Sequence, residues 1–196
     1  MRYVDEYRAP EQVLQLIDRL KTRASLLDYT KEKPLRIMEV CGGHTHAIFK
    51  FGLDQLLPEN IEFIHGPGCP VCVLPMGRID SCIDIASRPG VIFCTFGDAM
   101  RVPGKNGSLL QAKARGADVR IVYSPMDALT LAMANPERKV VFFGLGFETT
   151  MPATAITLQQ AKARNVTNFY FFCQHIKLIP TLRSLLEAPD NGIDAF

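Results

Sequence analysis

Apolar positions along the chain recur with two different periods. From Pro10 onward Val13, Ile17, Leu20, Ala24 and Leu27 repeat at three- and four-residue spacing, the stripe of an amphipathic helix opened by a proline in its first turn. Beyond a charged linker from Thr30 to Pro34, short apolar runs bounded by turn residues alternate with segments of helical spacing. The runs predict strands over 35–40, 61–65, 91–96, 119–123, 140–143 and 169–172. Helices are predicted over 47–57, 76–88, 108–115, 126–134, 152–164 and 178–187. Short strands separated by helices imply parallel sheet covered on both faces, so the expected class is α/β with right-handed crossovers. Two Rossmann-like halves, parallel sheets flanked by helices, are expected to divide near Ser124-Pro125. Residues 1–123 then hold the first helix and the first α/β domain, and 124–196 begin a second that has only two clear strands. The segment 191–196 reads as a turn into another strand, as in a truncated or partly represented protein.

Composition narrows the class without naming a function. Of 196 residues, 47% are hydrophobic and 21% charged, the balance of a chain that folds around a core. A net charge of +2 gives no electrostatic reason to expect nucleic acid or an acidic membrane surface. The most basic stretch, from Arg101 to Arg120, is expected as a solvated helix face. Residues 1–8 are charged where a signal peptide is apolar, and no uncharged run is long enough to span a bilayer. The expected compartment is therefore cytoplasmic. There the six cysteines are expected to be mostly reduced: buried, metal-binding or redox-active, with no disulfide framework.

The unusual residues fall after the strands, where open parallel sheets gather ligands. The first strand runs into Cys41-Gly-Gly-His-Thr-His46 and the second into Gly66-Pro-Gly-Cys-Pro-Val-Cys72. Later strands run into Gly97-Asp98, Gly144-Leu-Gly-Phe-Glu-Thr-Thr150 and Cys173-Gln-His175. Cys41 sits on a glycine turn ahead of a helix, where exposed amides favour a thiolate, and His44 and His46 offer imidazoles nearby. The alternative is a packed cysteine with capping histidines. The C-x-x-C of Cys69 and Cys72 suits either a small disulfide ring or two metal ligands. Pro75 places the following helix a few residues later than a thioredoxin motif requires.

Cys82 and Cys94 share the spacing of core residues, whereas Cys173 is open to either reading. His65 ends a strand, as a satisfied hydrogen-bonding histidine or a group supporting the site. Asp98 and Glu148 are each a candidate base, cation ligand or helix cap. Gly144-x-Gly146 lacks the third glycine of a dinucleotide fingerprint, and Gly104-Lys105-Asn106 is no P-loop.

Four of these stretches together resemble the HypD family of hydrogenase maturation proteins. They are Met38-Glu-Val-Cys-Gly-Gly-His-Thr-His46, His65-Gly-Pro-Gly-Cys-Pro-Val-Cys72, Thr95-Phe-Gly-Asp-Ala-Met-Arg-Val-Pro-Gly104 and Gly144-Leu-Gly-Phe-Glu-Thr-Thr150, in the family's order. The resemblance implies a scaffold, rather than a conventional turnover enzyme, on which the Fe(CN)2CO group of [NiFe]-hydrogenase is assembled. It implies iron held by Cys41 together with a HypC-type chaperone, a redox thiol pair at Cys69 and Cys72, and supporting roles for His44 and Asp98. HypE, with a cyanide donor made by HypF, is the other implied partner. The family also carries a C-terminal [4Fe-4S] cluster, and the cysteine spacings for it are absent from these 196 residues. Two other functions compete: a general thiol–disulfide oxidoreductase using Cys69 and Cys72, and a zinc-binding interaction module.

Overall fold

The computed structural model describes residues 9–196, so the charged stretch 1–8 lies outside the described residues. The described residues fold as two α/β units: 9–69 with 182–196, and 70–181.

The first unit opens with α1 (Pro10–Ala24), which has proline in its first turn and Lys21 and Arg23 in its last, each placed favourably on the helix dipole. Its stripe buries Ile17 and Ala24 and ends there, leaving Leu27 in the following turn. Strand β1 (Leu35–Glu39) is followed by α2 (Gly42–Phe51), the short α3 (Leu53–Leu56) and β2 (Ile61–His65). The helix expected over 47–57 thus starts five residues earlier and breaks at Gly52, whose φ of 61° only glycine adopts without strain. β1 and β2 pair in parallel, with Glu39 opposite His65.

β1 is an inner strand. Its odd-numbered residues turn their backbone groups to β2: Leu35 N–H donates to Asn60 and Glu39 C=O accepts from Gly66. The even-numbered ones face the other way, where Met38 N–H donates to Ala195 C=O at 2.8 Å and Ala195 N–H donates to Arg36 C=O at 3.1 Å. Residue 195 forms a parallel bridge with Ile37. The turn at 191–196 therefore leads into a strand-like pairing, beside the first strand of the chain.

The second unit contains α4 (Met76–Ala86), β3 (Val91–Thr95), α5 (Leu109–Ala114), β4 (Val119–Ile121), α6 (Pro125–Ala134), β5 (Lys139–Gly146), α7 (Met151–Ala163) and β6 (Phe169–His175). A last helix, α8 (Leu178–Leu186), follows. The four strands form one parallel sheet in the order β4-β3-β5-β6. Period-two alternation sorts its side chains. Val91, Phe93, Val141 and Phe143 join Ile79, Cys82 and Leu109 on one face, whereas Ile92, Cys94, Val140 and Phe142 join Ala128 and Ala132 on the other.

Both faces are buried, as apolar parallel strands require. Ser124-Pro125, the expected division between halves, is instead the cap and first residue of α6 within this unit. β4 before it and β5 after it both flank β3, so the sheet does not divide there. Among the described residues no helix is long and apolar enough to cross a membrane.

Candidate functional site

At the carboxyl end of β1 the backbone passes from Glu39 through Val40 to Cys41, the extended N-cap of α2. Cys41 C=O accepts from His44 N–H at 2.9 Å and Thr45 N–H at 3.1 Å, closing the first turn of the helix. The Cys41 side chain caps nothing. It is a free, exposed thiol at the helix N-terminus.

Glu39 anchors this turn. Its carboxylate is buried and accepts hydrogen bonds from Cys41 N–H at 3.0 Å and from the Thr45 hydroxyl, and pairs with His65 Nδ1 at 2.8 Å. Burial pushes its pKa up, but the bonds from Thr45, His65 and the Cys41 amide outweigh that and hold the carboxyl below its usual value. His65 is fixed in turn against the Phe49 ring, 5.0 Å between centroids. One carboxylate thus ties together the end of β1, the first turn of α2 and the end of β2.

The loop after β2 lies against the same turn. Gly42 N–H donates to Gly68 C=O at 3.3 Å. A Cβ on Gly68 would fall 1.9 Å from the Val40 carbonyl carbon, so only glycine lets the two backbones approach this closely. A Cβ on Gly42 would lie 3.1 Å from Cys69 Cβ, which places the Cys69 side chain over the residue next to Cys41. Cys69 and Cys72 are both disulfide-bonded, and the other four cysteines are free, so the C-x-x-C is a closed ring. A turn over 70–73 carries it, and α4 begins only after Pro75.

The remaining predicted residues are placed as follows. His44 and His46 are exposed on α2. Asp98 belongs to the second unit, where its carboxylate accepts from Ala99 N–H at 2.8 Å and caps a short 3-10 turn. Glu148 caps α8, accepting from Leu178 N–H at 3.0 Å. Cys82 and Cys94 are core residues, and burial pushes both thiols up to about 12. Lys113 and Arg115 are exposed, in keeping with a solvated helix face, whereas Arg120 makes a two-pronged pair with Asp118.

Sequence reasoning singled out neither Glu39 nor Thr45. The available signal was a carboxylate directly after the apolar pair Ile37-Met38, at the end of the strand and two residues before Cys41. Among the described residues no three His, Cys, Asp or Glu side chains converge to hold a metal. Cys69 and Cys72 are joined, and Cys82 and Cys94 are buried in the core.

Comparison with known proteins agrees with the motifs. The family described as HypD, hydrogenase formation hypA family, matches residues 11–196. The chain is 87% identical over all 196 residues to the hydrogenase maturation factor HypD of Escherichia coli K12, covering 52% of that protein. It is 58% identical over the same length to HypD of Rhodobacter capsulatus, again 52% of the relative, and 52% identical over 191 residues to HypD2 of Bradyrhizobium diazoefficiens, 49% of it. The chain spans about half the length of the curated relatives it matches. With its four motifs in order and the family match running from residue 11 to the last residue, the chain belongs to the HypD family of hydrogenase formation proteins.

Proposed function

We propose that this chain acts in hydrogenase maturation as a scaffold on which the Fe(CN)2CO group is assembled, with Cys41 as its own ligand to the iron. The iron group is the cargo of the reaction, and a HypC-type chaperone supplies the other side of its grip. One observation carries the reading: Cys41 is a free, exposed thiol on a helix N-terminus, and its N–H is held by the buried carboxylate of Glu39, which Thr45 and His65 hold in turn. A thiolate so placed is a soft donor suited to low-spin iron carrying diatomic ligands. The clamp fixes where its sulfur starts from, as a preorganised site requires. HypE is the second partner, delivering cyanide.

Cys69, packed over Gly42, and Cys72 form the redox pair. Closing the dithiol to a disulfide releases two electrons and two protons. His44, exposed on the first turn of α2, supports the iron site.

Substituting Cys41 by Ala in the protein co-purified with a HypC-type chaperone is expected to abolish bound iron and the infrared bands of cyanide and carbon monoxide. Iron content and bands equal to those of the parent would overturn the assignment. A general thiol–disulfide oxidoreductase would instead turn over disulfides without iron and be indifferent to Cys41.

A further inference from the structure

The scaffold reading leaves unused the pair of glycines in Gly144-Leu-Gly146 and the Cys173-Gln-His175 that ends β6. In the sheet they are neighbours: Gly144 is paired with Cys173 and Gly146 with His175. A Cβ on Gly146 would stand 2.0 Å from the Thr150 hydroxyl, and a Cβ on Gly144 would stand 2.0 Å from the Phe171 ring. Both of those side chains touch His175. Thr150 Oγ1 lies 3.1 Å from its Nε2, and the Phe171 ring is 5.7 Å from the imidazole. The two glycines therefore clear the space in which His175 is held.

The protons can be placed. Thr150 donates its one hydroxyl hydrogen to Phe147 C=O at 3.0 Å, so its oxygen is left to accept from Nε2–H. The neutral ring is then bare at Nδ1, and Nδ1 faces Cys173 Sγ at 3.8 Å. Partial burial favours that neutral ring, holding His175 below the usual histidine value. Cys173 itself is free and exposed. Nucleophile, base and a group that orients the base stand in line.

We propose that Cys173 is a second reactive thiol of this protein, with His175 as its base and Thr150 as the residue that positions the imidazole, and that it takes low-molecular-weight disulfides. The Cys173 proton passes to His175 Nδ1. The thiolate attacks one sulfur of the disulfide, whose S–S bond breaks as a new one to Cys173 forms. The departing thiolate takes the proton back from the imidazolium, so one disulfide is exchanged for another with no net gain or loss of electrons.

The test is incubation of the protein with glutathione disulfide at pH 7, with the mixed disulfide at Cys173 and at Cys41 followed by peptide mass spectrometry. His175→Gln is expected to slow modification of Cys173 by about tenfold or more. Thr150→Val should slow it as well, Thr150→Ser should restore it, and the rate at Cys41 should stay constant throughout. Rates at Cys173 that are the same in parent, His175→Gln and Thr150→Val would overturn the proposal. A variant that fails to fold reveals itself by modification of the buried Cys82 and Cys94. In that case the parent alone decides: Cys173 must react faster in the native protein than in the urea-unfolded chain, and an equal or slower native rate overturns the proposal.

Discussion

Glu39 shows how a buried charge can anchor a turn. Its carboxylate is buried yet ionised, because three donors replace the water that it gives up. Glu39→Gln keeps the shape and removes the charge, and should cost about 1–3 kcal/mol at neutral pH, read as a lower urea midpoint. The sign with pH follows from the lowered carboxyl. Its contribution is fully present above the ordinary value of 4.5 and is lost as pH falls through the lower value of the folded protein. The gap between parent and variant should therefore narrow on acidification below about 4.5. A gap that is constant down to acid unfolding would remove the carboxylate from this role. Cys41 was legible from its glycine-rich turn, and Cys82 and Cys94 from core periodicity. Glu39 was not, because a charge in a strand pattern reads as a polar interruption until its three donors are known.

At the scale of elements, the predicted strands and helices all occur, and the main departures fall at glycines. β5 runs to Gly146 and β6 to His175, beyond the expected ends at 143 and 172, because Gly144 and Gly146 sit in the ladder and not in a turn. Glycine punctuates a sequence, yet in a strand it also marks a neighbour's side chain that needs the room. In the same way α2 begins at Gly42, inside a run of weak helix formers, since the Glu39 clamp holds its first turn. β3 ends on a second polar residue: Thr95 is fully buried and, among the described residues, its hydroxyl has no hydrogen-bond partner. An unpaired buried hydroxyl is a cost, so Thr95→Val should raise stability by about 1 kcal/mol in urea unfolding. A loss of that size would mean that the hydroxyl has a partner after all.

Across the whole molecule, the boundary of the units was the least legible feature. Local composition points to Ser124-Pro125, whereas the chain crosses between units at 69/70 and again at 181/182. The second crossing rests on residues 182–196 rejoining segments more than a hundred positions earlier, a pairing that no local pattern announces. Arg36 and Asp194 illustrate it: Arg36 N–H donates to the Asp194 carboxylate at 2.8 Å, and Ala195 completes the far side of β1. That pairing also protects. Shortening the chain to end at Asn191 would bare the N–H of Met38 and the C=O of Arg36 as an open ladder, a template on which other chains can stack. The shortened protein should scatter light and form multimers at concentrations where the parent runs as a discrete species. An unchanged elution profile would mean that residues 192–196 guard nothing.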